Sequence, residues 1–157
     1  MKDHRKKSCL KVRKLKHLSI GVGQIIQVMI DSMDKDSGYQ ASAPKAAFIA
    51  ERLGKKRSTI LGYLRVIKEF GIFDCHRFTL KEADAFSQEH YGRRLKCLKN
   101  LQGPWVVLYT VNSHPLWNDD DVVPDDIDRA MGELVKRSRK KKKVEPVVQR
   151  HVDVKPV

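Results

Sequence analysis

Two glycines, Gly54 and Gly71, constrain the fold of this chain more than any other feature of its sequence, because each follows a run of apolar residues at helical spacing. Before Gly71 these residues recur every three or four positions, at Ile60, Tyr63, Leu64, Ile67 and Phe70. Glycine readily adopts the left-handed conformation that ends a helix, and serine is favoured at a helix start. The pattern predicts a short helix from Pro44 to Gly54 and a second helix from Ser58 to Gly71. Pro44 is expected in the first turn of the short helix, whose apolar face is predicted to comprise Ala47, Phe48, Ala50 and Leu53.

Three further helices follow from similar signals. One begins near Ser19 and has a broad apolar face that extends to Met33. The next starts at the capping-box sequence Thr79-Leu80-Lys81-Glu82 and stops at Gly92. The last opens at Pro124, with aspartates in its first turn and basic residues toward its end, as the helix dipole favours. Its predicted apolar face consists of Ile127, Met131, Leu134 and Val135.

Three segments are predicted as strands. Ile72 to Phe78 is short and contains residues that strands tolerate. Arg93 to Lys99 and Trp105 to Val111 flank a Gly-Pro turn, and β-branched and aromatic residues dominate the second segment, so this pair predicts a β-hairpin. Together with the helices these strands indicate the α+β class, and 157 residues suit one domain with one core.

The net charge of +13 sits almost entirely at the two ends of the chain. Residues 1–17 hold eight basic side chains and one acidic side chain, residues 136–143 hold seven basic side chains and no acid, and residues 18–135 carry a net charge of only −1. The distribution predicts a domain over residues 18–135, preceded by a basic N-terminal arm and followed by a basic disordered tail over residues 136–157. Such arms typically hold a polyanion, so nucleic acid is the expected partner.

Residues 47–60 are AFIAERLGKKRSTI, and residues 64–72 are LRVIKEFGI. These stretches resemble the core motif of winged helix-turn-helix DNA-binding proteins, in which Leu-Gly ends the positioning helix, Arg-Ser-Thr opens the recognition helix and Gly-Ile leads to the wing. Small phage and plasmid replication proteins and transcriptional regulators are similar here. The resemblance covers roughly residues 19–111. It implies a winged helix, here with an extra C-terminal helix, that binds double-stranded DNA as a transcriptional regulator or a replication initiation or accessory factor.

The resemblance and the charges predict four groups of DNA contacts. The start of the recognition helix supplies phosphate and groove-edge contacts from Lys55, Lys56, Arg57, Ser58 and Thr59. The outer face of that helix supplies Leu61, Gly62, Arg65 and Lys68, and the hairpin supplies Arg93, Arg94, Lys96 and Lys99. Nonspecific phosphate contacts come from the two ends, at Arg5, Lys6, Lys7, Arg13, Lys14, Arg139, Lys140, Lys141 and Lys142.

Base readout is expected to be sparse. Relatives often carry polar base-reading residues at the positions that Leu61 and Gly62 occupy in this chain. Hydrogen-bonded readout therefore falls to Arg57 and Arg65, while Leu61 is suited to contact a thymine methyl group.

No metal, cofactor or catalytic site is expected. Cys75, His76, His90 and Cys97 match no familiar zinc-ligand spacing, and the aspartates of residues 119–128 are grouped in one loop and helix start. The sequence shows no nucleophile, base and orienting partner at a recognisable spacing. Three cysteines without a C-x-x-C pair, and the lack of an apolar run of roughly 20 residues, predict reduced thiols and a cytoplasmic, nucleoid-associated protein without a membrane segment.

Several alternatives stay open. An adaptor in a nucleoprotein or ribonucleoprotein complex would use Leu61 and Val66 as protein contacts, with the basic ends binding DNA or RNA nonspecifically. The sequence does not decide whether two copies form a homodimer or whether the C-terminal tail binds a protein partner. Acidic residues 119–121 would compete with DNA if they folded against a basic arm. A single-strand binder would stack unpaired bases on Trp105 and Trp117. Trp105 is expected in the core instead, because it starts an apolar strand, while Trp117 is left unassigned.

Overall fold

The computed structural model describes residues 3–99 and 101–154, with side chains up to residue 139. Within this part of the chain the fold is α+β, as predicted. Its helices are α1 (Arg5–Lys14), α2 (Ile20–Asp31), α3 (Ala46–Leu53), α4 (Arg57–Phe70), α5 (Leu80–Tyr91) and α6 (Asp125–Val154). Its strands are β1 (Ala41–Ser42), β2 (Phe73–Phe78) and β3 (Val106–Val111), and short 3₁₀ turns lie at Lys35–Ser37, Lys96–Leu98 and Pro115–Trp117.

The three strands form one antiparallel sheet in the order β1-β3-β2, so β3 is the central strand. Cys75 of β2 lies opposite Tyr109 of β3, and Arg77 lies opposite Val107. Because side chains alternate along a strand, these four residues share one face of the sheet. The other face carries Phe78, Val106 and Leu108.

The sheet separates two hydrophobic clusters. The larger cluster gathers α2, α3, α4 and α6 on the first face, with Ile25, Ile60 and Ile67 among its most buried side chains. On the second face, α5 packs Ala83 against a smaller cluster that includes Leu108. Helices α4 and α5 therefore lie on opposite sides of the sheet. The order of the helices and strands is compatible with a winged helix.

Most of the predicted helix ends are confirmed. Gly54 and Gly71 end α3 and α4 in the left-handed conformation, with φ of 65° and 71°. Thr79 and Glu82 form both bonds of the predicted capping box at the start of α5. Helix α4 begins two residues earlier than predicted, because Lys56 is the N-cap. Ser58 is thus already inside the helix.

The predicted apolar face of α3 is wrong at two positions, because Ala47 and Phe48 are both exposed. Phe48, which was expected on the apolar face, is 44% exposed, while the neighbouring Ile49 is fully buried. Pro44 lies before the N-cap Lys45 rather than in the first helical turn. The helix is short enough that its pattern fits two rotational settings, and contacts with α2 and α4 select the one that buries Ile49.

The predicted hairpin is wrong. Residues Lys96–Leu98 form a 3₁₀ turn, and β3 pairs instead with β2, across an insertion that contains α5. The buried residues of the segment, Leu95 and Leu98, are three positions apart, a spacing that suits a 3₁₀ turn rather than a strand. The amide of Cys97 donates to the Asp34 carboxylate at 2.7 Å, which fixes this turn to the loop after α2.

The basic N-terminal segment is not a separate arm, so the boundary predicted after residue 17 is wrong. Residues 5–14 form α1, which packs on α2 and buries Val12 in the larger cluster. Lys11 is also buried, at 1% exposure, and its ammonium donates to the carbonyls of Pro115 (2.9 Å) and Asn118 (2.7 Å) and to the Asn118 side chain (2.8 Å). A buried lysine is tolerated here because its hydrogen bonds are satisfied.

The prediction of a disordered tail is also wrong for residues 136–154, which continue α6. Lysine and arginine are good helix formers, so the composition of the charge run in residues 136–143 does not oppose a helix. Residues 155–157 of the predicted tail lie outside the described residues.

A close contact seats α6 against the link between α1 and α2. A Cβ atom added at Gly132 would lie 2.5 Å from the His17 carbonyl oxygen and 2.8 Å from its Cβ atom. Nearby, the Asp128 carboxylate accepts the backbone amides of Lys16 and His17 at 2.8 and 3.1 Å. Glycine at position 132 is therefore a requirement of packing, not of backbone conformation.

We expect Gly132→Ala to destabilise the fold by about 1–3 kcal/mol, the usual cost of overpacking, despite the higher helix propensity of alanine. Gly23→Ala in α2 is the matched control, because its Cβ would meet only Val12 Cγ1, at 3.6 Å. The control should be neutral or stabilising by up to about 1 kcal/mol. Urea unfolding followed by circular dichroism measures both, and an equally stable Gly132→Ala protein would contradict the described packing of α6.

Candidate nucleic-acid interface

Four exposed residues form a stripe along the outward side of α4: Arg57, Leu61, Arg65 and Lys68. Their spacing of four, four and three residues places them on one side of the helix. The side facing away from the stripe is held in the larger cluster by Val66, Ile67 and Phe70, which are 4%, 2% and 8% exposed. Burial of that side keeps this basic stripe turned to solvent.

The start of α4 lies next to the stripe. Lys55, Lys56 and Ser58 are exposed, and Thr59 is half-buried. Among the described side chains, none caps the first turn of α4, so its backbone amides are left at the positive end of the helix dipole. A helix start of this kind attracts anions. The predicted phosphate contacts are thus brought together with the basic stripe.

A groove runs between α4 and the first face of the sheet. It consists of two adjoining cavities of about 390 Å³ and about 240 Å³. Leu61, Leu64, Val107 and Tyr109 line both cavities. Leu61 therefore stands at the rim between the basic stripe and this α4–sheet groove, and Gly62, which was predicted as a contact beside it, is half-buried.

Trp105 lies at one end of the groove and is 50% exposed, so the prediction that it packs in the core is wrong. It immediately precedes Val106, the first paired residue of β3. The Arg77 guanidinium lies over its ring, 4.8 Å from the centroid. Trp117, by contrast, packs on Phe73 with ring centroids 5.1 Å apart and donates its indole N–H to the Ile72 carbonyl.

The four basic residues of the predicted hairpin are not brought to α4. Arg93 pairs with Asp36 at 3.4 Å, and Arg94 pairs with Asp84 of α5 at 3.0 Å. Lys96 and Lys99 are exposed at the 3₁₀ turn. This turn packs on the second face of the sheet through Leu95 and Leu98, so a ligand on the basic stripe lies across the sheet from these residues.

The five phosphate contacts predicted at the N-terminus lie on α1, and two of them, Arg5 and Lys7, are engaged. The Arg5 guanidinium binds the Asp3 carboxylate and lies 4.1 Å from the Tyr39 ring centroid. The Lys7 ammonium donates to the Asp119 carbonyl and lies 3.8 Å from the Asp121 carboxylate. The acidic segment of residues 119–121 thus folds against α1.

The remaining predicted terminal contacts are less constrained. Lys6, Arg13 and Lys14 are exposed on α1, and Arg139 is exposed on α6. Helix α6 continues through Lys140, Lys141 and Lys142, whose side chains lie outside the described residues.

One cluster of metal-capable side chains occurs within the described residues: His17, Asp125 and Asp128. Both Asp128 oxygens accept backbone amides, and Asp125 contacts Arg129 at 2.8 Å and His17 at 3.3 Å. These bonds give the cluster a structural role, since they tie the α1–α2 link to the start of α6.

The zinc-capable residues considered in the sequence are not gathered at one point. Cys75 and His76 are neighbours in β2 and lie on opposite faces of the sheet. Burial, with the adjacent Asp34 charge, raises the pKa of Cys97 to about 12, which leaves it a neutral thiol.

Sequence reasoning missed Arg77, Val107 and Tyr109 as parts of the groove. The alternation of side chains in β2 and β3 was the available signal, because it puts these residues on one face. The alternation does not reveal that the two strands pair with each other, because this pairing depends on contacts between residues far apart in the chain.

In comparisons with known proteins, no family model, no curated protein and no solved structure matches the chain. Within the described residues, every helix is too short or too polar to cross a membrane.

The two tryptophans provide a test of the groove. In Trp117→Phe, where Trp105 alone emits, we expect red-shifted fluorescence that iodide quenches more strongly than caesium, because cations surround the groove. Trp105→Phe should leave a blue-shifted emission that both ions quench weakly. Steady-state quenching titrations measure this difference. Equal quenching of the two variants would show that Trp105 is not exposed as described.

Proposed function

We propose that this chain binds double-stranded DNA through a winged helix-turn-helix in which α3 is the positioning helix and α4 the recognition helix. It acts without catalysis of its own, as a transcriptional regulator or as a replication initiation or accessory factor of a phage or plasmid type. The observation that carries the proposal is the basic stripe of α4, which is held outward by burial of the opposite side of the helix.

The dimensions of α4 suit this role. Its 14 residues span about 21 Å, and the major groove of B-DNA, at about 12 Å wide, admits a helix. Arg57 and Arg65 are the side chains of the stripe best suited to the acceptor edges of guanine. Lys55, Lys56 and Lys68 are suited to phosphates, which supply affinity and register rather than sequence selection.

The adaptor alternative is less well supported. It required both Leu61 and Val66 as protein contacts, but Val66 is 4% exposed and belongs to the larger cluster. Leu61 alone remains available at the groove rim. Lys7 of α1 already lies 3.8 Å from the Asp121 carboxylate, so it is less available to a phosphate than the cations of the basic stripe. This ion pair favours α4 over α1 as the principal DNA contact.

Replacing the cations of the stripe tests the proposal. We expect Arg57→Ala and Arg65→Ala each to weaken binding to a selected duplex by about 1–3 kcal/mol, because each removes a side chain that reads a base. Lys68→Ala should weaken binding to all duplexes similarly and make the slope of log affinity against log salt shallower by about 0.9. Fluorescence anisotropy with labelled duplexes, across a salt series, measures both quantities on the full chain.

Lys81→Ala is the matched control, because Lys81 is exposed on α5, on the opposite side of the sheet. It should change affinity less than any variant of the stripe. If the stripe variants and Lys81→Ala bind duplex equally well, α4 does not contact DNA. The basic ends would then carry the affinity, as the adaptor alternative requires.

A further inference from the structure

The α4–sheet groove has a surface that duplex binding by α4 does not use. Its floor is apolar, formed by Leu64, Val107 and Tyr109, and its open end carries Trp105. Val107 and Trp105 are 41% and 50% exposed. Exposure of a large aromatic side chain next to a valine, at the mouth of a cavity, is typical of a place where a ligand covers apolar surface.

The charges around the groove indicate the chemistry of that ligand. Among the described residues, the charged side chains that line the two cavities are all cations: Lys45, Arg57, Arg65, Lys68 and Arg77. A ligand that fits has flat apolar surface for the floor and negative charge for the rim. Nucleotides combine these two properties, whereas an apolar peptide would leave the five cations without partners.

The ligand must present the face of a base, not its edge. In a duplex the faces of the bases are stacked on one another, and only their edges are available in the grooves. An unpaired base presents its whole face and stacks on aromatic side chains and on arginine guanidinium groups. Trp105 and Arg77 form such a stacked pair at the groove entrance, with 4.8 Å between guanidinium and ring centroid.

We propose that the α4–sheet groove binds an unpaired DNA base that stacks on Trp105, while α4 holds the adjoining duplex. This inference rests on the proposed function and makes it more specific: the preferred ligand is duplex DNA that is locally opened, as at a bulge. The basic stripe and the groove share Arg57, Arg65 and Lys68, so one strand can pass from α4 into the groove along a continuous row of cations.

The test compares three labelled DNAs by fluorescence anisotropy: a perfect duplex, the same duplex with a three-nucleotide bulge, and the single strand. Wild-type protein should bind the bulged duplex more tightly than the perfect one. Trp105→Ala should weaken binding to the bulged duplex by about 5- to 150-fold, the range for loss of one base–aromatic stack, with little effect on the perfect duplex. Trp105→Phe should retain most of the preference, because phenylalanine also stacks.

Two further measurements keep the result specific. A 2-aminopurine placed in the bulge should lose fluorescence on binding wild type and keep it on binding Trp105→Ala. Val122→Ala removes another exposed apolar side chain, at 54% exposure, and should behave as wild type. Thermal melts followed by circular dichroism establish that each variant is folded.

Two outcomes overturn the inference alone. Equal affinity of wild type for bulged and perfect duplex means that the groove takes no base, and a preference that persists in Trp105→Ala means that the base stacks elsewhere. If wild type fails to bind even the perfect duplex, the proposed function itself is wrong, and the inference falls with it.

Discussion

Burial of one side of α4 is the interaction on which the rest of the structure depends. Ile60 and Ile67 are almost fully buried, and each such side chain contributes roughly 1.5–3 kcal/mol when it leaves water. Successive residues turn by about 100° around a helix, so a rotation by one position in either direction would expose Ile67 or the adjacent Val66, which is 4% exposed. Burial of this side therefore fixes the rotation of α4 about its own axis. The same rotation places Arg65 in solvent and Leu64 toward the sheet.

The parts of the fold that could be predicted from the sequence are those that local signals encode. The spacing of Ile60 and Ile67, and the glycine at position 71, are sufficient to define α4 and its end. The residues of the basic stripe followed from the same spacing. The groove did not, because its second wall comes from Val107 and Tyr109, about forty positions farther along the chain. A local sequence pattern does not indicate which end of a strand a helix will cover. Trp105 was wrongly expected in the core for this reason.

The distribution of charge gave wrong predictions where it was used to set the boundaries of the domain. Lys11 belongs to the basic segment that was expected to be an arm, yet it is buried with three oxygen acceptors within 2.9 Å. Net charge informs about partners and solubility, not about which residues pack. The acidic residues 119–121 illustrate the same point, because they fold against α1 and offset part of its charge.

The insertion of α5 between the two long strands also affects how the molecule is assembled. β2 ends at Phe78 and β3 begins at Val106, so 27 residues separate strands that lie side by side. Closing a loop of that length costs chain entropy before any pairing repays it, whereas α3 and α4 are joined by a short turn. Helices α2, α3 and α4 are therefore able to pack together ahead of the sheet. Because β3 is hydrogen-bonded to a strand on each of its edges, its pairing completes the second cluster and the floor of the groove in a single step. A nascent chain whose β3 has not yet left the ribosome therefore exposes α4 without the sheet that forms the other wall of the groove.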